Sequence, residues 1–214
     1  MRPNNTRRHR ITLALMIASV LSIGCTRRTM QTESGGAMAV VGGARPAASA
    51  VLAAWPMKQR ETATMLIGKY GNPDIVGDRM LVWFDTGPFT KTALLRDGAP
   101  HDFPMAHVDY LTQTVLYRVP ADRVDDLFEY DGSVWVHRTR GELSAQCDVE
   151  AMNFLALNLA HDIGSGRRSV ADARAFYART AMEFKQGNRS SPYVTGLMFR
   201  SGANAADPDK PHMM

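Results

Sequence analysis

Two imidazoles and two carboxylates fall within nine residues of this 214-residue chain, in the stretch Pro100-His101-Asp102-Phe103-Pro104-Met105-Ala106-His107-Val108-Asp109. Neutral imidazole and carboxylate are ligands of Zn²⁺ and similar ions, and the same groups serve as general acids and bases. His107-Val108-Asp109 is an H-x-D arrangement, which on an extended chain places both side chains on one side. His101, His107 and Asp109 are therefore candidate metal ligands. With Asp102 they are also candidate acid–base groups. The spacing does not match the helical H-E-x-x-H zinc signature. A plainer alternative lets the two histidines cap strand ends or contact neighbouring Asp side chains, with Pro100 and Pro104 stiffening a turn.

A second polar cluster, Glu142, Cys147, Asp148, Glu150, Asn153 and His161, surrounds the start of an apolar helical stretch. Glu150, Asn153, Leu157 and His161 follow at three- and four-residue steps and share a stripe opposite Met152, Ala156, Leu159 and Ile163. Cys147 stands just before this helix, where the N-terminal dipole lowers a thiol pKa, so Cys147 and Glu150 are further catalytic candidates. His161 lies about four turns away and is poorly placed as a base for Cys147, which leaves His137 as the alternative. The plainer reading is a polar face hydrogen-bonded to the sheet, with Asp148 or Glu150 favouring the helix N-terminus and Cys147 buried and inert. No cofactor is expected, because the sequence has no dinucleotide fingerprint, phosphate loop or catalytic triad motif. Gly164-Ser165-Gly166-Arg167-Arg168 follows a helix C-terminus, where carbonyls are free, and reads as a linker.

The elements that would position these residues are legible from periodicity. After Trp55-Pro56, a helix carries Ala63, Leu66, Ile67 and Tyr70 on one face, with Gly71 as a left-handed cap and Pro73 preventing continuation. Strands are expected over 80–85 and 91–96, joined by Thr86-Gly87-Pro88 as a hairpin. A loop over 97–109 follows, then a strand over 112–118, a short helix with Val124, Leu127 and Phe128, and a fourth strand over 133–139 after the Asp131-Gly132 turn. Residues 149–163 form a buried central helix, and Ser169 with Asp172 caps a last helix whose stripe is Val170, Ala173, Phe176, Tyr177, Ala181 and Phe184. Trp83 and Trp135 are expected in strands. This pattern predicts one α+β domain over 50–200, with a four-stranded antiparallel sheet and helices at both ends of the chain. The sequence Gly71-Asn72-Pro73 followed by a Trp83-bearing strand resembles, over about 25 residues, the helix-to-strand entry of the SmpA/OmlA family of small outer-membrane lipoproteins. No function is carried over from it.

Arg2, Arg7, Arg8 and Arg10 precede an uncharged run over 11–24, the order of a secretory signal and too short to span a bilayer as a helix. Leu21-Ser22-Ile23-Gly24-Cys25 resembles the lipobox of bacterial lipoproteins, with Ser22 where the family usually has Leu. That resemblance implies removal of residues 1–24, lipidation of Cys25 and attachment to the cell envelope. Thr26, where inner-membrane lipoproteins often carry Asp, favours the outer membrane. Residues 25–49 read as a flexible tether and 201–214 as a disordered tail. Loss of the signal reduces 25 basic residues to 21, against 21 acidic ones, so no nucleic-acid partner is expected. The partners expected are the membrane, through the lipid anchor, and an envelope protein or ligand bound without turnover. A small hydrolase using the His/Asp loop, with or without a metal, is the rival expectation. A structural role in envelope assembly is the third.

Overall fold

The computed structural model of the chain describes residues 47–212; the expected export signal, Cys25 and nearly all of the expected tether lie outside them. The last tether residues, Ala48 and Ser49, belong to a short helix, α1 (Ala48–Leu52). Then come α2 (Met57–Tyr70), β1 (Ile75–Gly77), β2 (Met80–Thr86), β3 (Phe89–His101), β4 (His107–Leu116), α3 (Val124–Tyr130), β5 (Val134–His137), β6 (Glu142–Cys147), α4 (Glu150–Gly164) and α5 (Val170–Lys185). The fold is α+β, and among the described residues an antiparallel sheet has the order β1-β2-β3-β4-β6-β5.

Six strands replace the expected four. β1 is three residues long, too short to show alternation. β6, with sequence ELSAQC, lacks the β-branched and aromatic residues that mark a strand and reads as the approach to a helix. The expected loop over 97–109 is also mostly strand, because β3 and β4 continue to the facing pair His101 and His107 and leave only residues 102–106 as the tip. Asp97-Gly98 and Pro100 look like breakers. A register shift between Leu94 and Ala99 absorbs the first. A Cβ on Gly98 would stand 2.4 Å from Val108 Cγ1, so glycine permits the close approach. Pro100 is tolerated because β2 pairs with β3 only as far as Leu95, which leaves the outer side of β3 unpaired there.

Leu81, Trp83, Leu94, Leu111, Val115, Leu143 and Val134 alternate onto one face of the sheet, and the helices pack there. α2 buries Gln59, Thr62, Ala63 and Leu66 at helical spacing. Its exit is tied to the sheet by Trp83 Nε1, which donates to Gly71 O at 2.9 Å. Gly71 has φ +82° with ψ −170°, a positive φ as expected but not the left-handed helical cap. α4 buries 13 of its 15 residues, and Leu155, Leu157 and Leu159 each contribute about 1.5–3 kcal/mol by burial. Ser169 caps α5 by accepting from Asp172 N at 3.2 Å. In α3, Leu127 is buried whereas Phe128 faces solvent.

Residues 201–212, expected as a disordered tail, contain no helix or strand and make contacts with the domain. Ser201 Oγ and Gly202 N bond the end of β4 at Leu116, Arg118 donates to Ala205 and Ala206 carbonyls, and Arg138 pairs with Asp207 and Asp209. Ala205 is buried against Gly141, where φ is +65° and a Cβ would lie 2.2 Å from the Ala205 carbonyl carbon. These domain partners are all more than 60 positions away in sequence, beyond the reach of local pattern. Among the described residues, no helix is long and apolar enough to cross a membrane.

Candidate functional site

β3 and β4 bring His101, His107 and Asp109 onto one face at the open end of their hairpin: His101 pairs with His107, and Asp109 lies two residues further along β4. One donor atom from each lies within 4.8 Å of the other two. His107 Nε2 is 2.9 Å from Asp109 Oδ1, and His101 Nδ1 is 3.0 Å from Asp109 Oδ2. The Asp109 side chain is 1% exposed, against 19% for His101 and 13% for His107. Ser133 Oγ donates to Asp109 Oδ2, while Oδ1 is buried without a hydrogen-bond partner. The outer nitrogens of both rings also face acceptors, since His107 Nδ1 is 2.8 Å from Met105 O and His101 Nε2 is 3.6 Å from Asp131 Oδ1. Burial pushes the Asp131 carboxyl up despite the Ser133 N–H that it accepts at 2.8 Å.

Asp102 does not join the group; it is exposed in the tip. Asp131 and Ser133 do join it, although the sequence marks the first only as part of a turn and the second only as the start of a strand. Their signal was an Asp at the head of a strand, which becomes meaningful only once β5 is seen against β6.

Cys147 ends β6, and its Sγ lies 3.4 Å from His107 Nε2 and 3.5 Å from Asp148 Oδ1. The imidazole beside the thiol is therefore His107, and neither expected base is near. His137 stands opposite Glu142, at the far end of β6, and accepts from Arg140 N. His161 lies at the other end of α4, hydrogen-bonded to Tyr117 Oη at 2.7 Å and stacked on Phe199. The expected lowering of the thiol pKa is reversed. Burial pushes Cys147 well above its usual value, and the Asp148 and Asp109 carboxylates add to it.

Glu150 belongs to a different constellation. Lys69 pairs with its Oε1, while Tyr70 Oη and Gln113 Nε2 donate to Oε2, each at 2.7 Å. Asn153 Nδ2 bonds Leu111 O and Gln113 Oε1. The polar stripe of α4 is thus a seam to β4 and α2, lying between two apolar clusters. Glu142 pairs with Arg140 near the surface.

Beside His107 and Cys147 opens a cleft of about 370 Å³, bounded by the hairpin tip, the start of α4 and one side of α5. Its wall is apolar, formed by Met105, Val149, Met152, Tyr177, Ala181 and Phe184, and Lys58, Lys185 and Arg189 stand in its lining with Asp148 as the acidic member.

The chain matches no protein-family model, no curated protein and no solved structure.

Proposed function

We propose that this chain is an exported, lipid-anchored envelope protein whose α+β domain binds a ligand without turning it over. The observation that carries the binding half is the cleft beside the hairpin tip, where an apolar wall meets three cationic side chains. That combination suits an anionic amphiphile, whose chain lies on Met152, Tyr177 and Phe184 while its head group meets Lys58, Lys185 and Arg189. Cys147 supports binding over turnover, because a buried thiol held protonated beside two carboxylates is a poor nucleophile. The envelope half rests on the uncharged run over 11–24 and on Cys25 in its lipobox-like setting. Any envelope protein partner would meet the domain at the membrane surface to which Cys25 holds it.

A titration of the purified chain with a fluorescent fatty acid tests the cleft. Saturable one-site binding is expected, weakened about tenfold in Arg189→Ala and absent for the matching fatty alcohol. Equal binding of acid and alcohol would remove the cationic rim from the reading. Labelling of cells with palmitate tests the anchor: label should enter the natural chain and not Cys25→Ser.

A second reading, a small metal-assisted envelope hydrolase, is favoured by one observation, the convergence of His101, His107 and Asp109 next to that cleft. Ester or amide hydrolysis that requires added Zn²⁺ and disappears in His107→Ala would support it. A flat rate across a substrate panel would leave the binding reading alone.

A further inference from the structure

We propose that His101, His107 and Asp109 bind one divalent transition-metal ion of the Zn²⁺ class. Three independent features of the cluster lead there.

The first is the donor set. Two imidazole nitrogens and one carboxylate are the ligands that Zn²⁺, Co²⁺, Ni²⁺ and Fe²⁺ accept, whereas Mg²⁺ and Ca²⁺ prefer all-oxygen sites. The donors come from two paired strands, and their atoms lie within 4.8 Å of one another. Donors to one tetrahedral ion at roughly 2.0–2.1 Å stand about 3.3 Å apart, close to the 2.9 Å between His107 Nε2 and Asp109 Oδ1, and His101 Nδ1 lies 3.0 Å from the other oxygen of the same carboxylate.

The second is orientation. A metal-binding histidine usually gives its other ring nitrogen to a carbonyl or carboxylate, which fixes the tautomer and aims the free lone pair. His107 does this with Met105 O at 2.8 Å, and His101 faces Asp131 Oδ1 at 3.6 Å. The inner nitrogens are thereby turned inward, His107 Nε2 toward Asp109 with Cys147 Sγ at 3.4 Å and His101 Nδ1 toward Asp109 with Ser133 Oγ at 3.5 Å. Ser133 holds the carboxylate through Oδ2.

The third is the unmet oxygen. Asp109 Oδ1 is buried and has no hydrogen-bond partner, although His107 Nε2 is only 2.9 Å away. That close contact does not have the geometry of a hydrogen bond. Atoms close together without a hydrogen bond between them are how ligands of a shared cation stand, and a buried carboxylate oxygen left bare is costly. His107 also lines the cleft, which gives an ion its way in.

The site stands on these donors and not on what fills the cleft, so it survives failure of the amphiphile reading and is tested without any substrate. Isothermal titration of the untagged full-length chain with Zn²⁺ should show one site of micromolar or tighter affinity, with Mg²⁺ and Ca²⁺ giving no heat. His107→Gln and Asp109→Asn should each weaken Zn²⁺ at least about 100-fold while keeping the natural circular-dichroism spectrum. His101→Gln is the third variant, so loss of fold in any one leaves two that decide. Cys147→Ala should change the affinity less than about threefold. Co²⁺ should give d–d absorption in the natural chain and lose it in His107→Gln. Absence of a one-to-one Zn²⁺ site would overturn the proposal. So would undiminished binding in the folded His and Asp variants, and loss of binding in Cys147→Ala would refute the donor set.

Discussion

The seam at the start of α4 and the cluster at the hairpin tip use similar groups, buried carboxylates among hydrogen-bonding neighbours on one sheet face, yet they are finished differently. Glu150 receives Lys69, Tyr70 and Gln113, and both its oxygens are occupied. Asp109 receives Ser133 on one oxygen and leaves the other bare beside two imidazoles. A completed buried network fixes packing, here of α2 and α4 against β4. An incomplete one in a native fold asks for something further, a proton, a water or an ion. In the seam only Asn153 Oδ1 is unmet, and it is a neutral amide oxygen beside two satisfied N–H groups.

Substitutions at the two carboxylates should separate the regions most widely. Glu150→Ala strands Tyr70 and the buried Gln113 amide and should lower unfolding free energy by about 3 kcal/mol in urea denaturation, with Zn²⁺ affinity unchanged. A loss below about 1 kcal/mol would mean that the seam does not hold the fold. Asp109→Asn should do the reverse, shifting metal-free stability by less than about 1 kcal/mol while removing the ion. If both lose stability alike, the contrast between them fails. Lys69→Met sharpens the seam further. Its ammonium is half exposed, so thermal unfolding should show a loss of only about 0.5 kcal/mol, leaving Tyr70 and Gln113 as the principal partners.

The far end of α4 supplies the smallest test. Burial, aided by the Arg167 charge, holds the His161 imidazole below its ordinary value, so the folded state binds fewer protons there than the unfolded chain. The stability it contributes is complete above the unfolded value of about 6.5 and is lost as pH falls through the folded one. His161→Gln should flatten the stability curve below about pH 6.5 relative to the natural chain, and an unchanged slope would show that His161 is not its source.

Most of the helical frame was legible because α2, α4 and α5 repeat their apolar residues with the helical period. The hairpin of β2 and β3 was legible from its alternation and turn. β1 and β6 were not, one for shortness and the other for composition. The cluster was legible as a set of residue types, since His101, His107 and Asp109 are close in sequence, but it was assigned to a loop because Gly98 and Pro100 look like breakers. Asp131 and Ser133 lie more than twenty positions further on, and the meeting of Cys147 with His107 depends on the β4–β6 register. Such pairings arise from sheet order, which local pattern does not contain.

The tip between His101 and His107 belongs to two places at once. Met105 supplies the carbonyl behind His107 and also part of the cleft wall. A guest in the cleft that displaced Met105 would also shift the carbonyl that orients the His107 ring, and the proposed ion on His107 would in turn hold that part of the wall. If the two are coupled, each changes the other's affinity by the same factor, so zinc titrations with and without fatty acid would measure that single linkage constant.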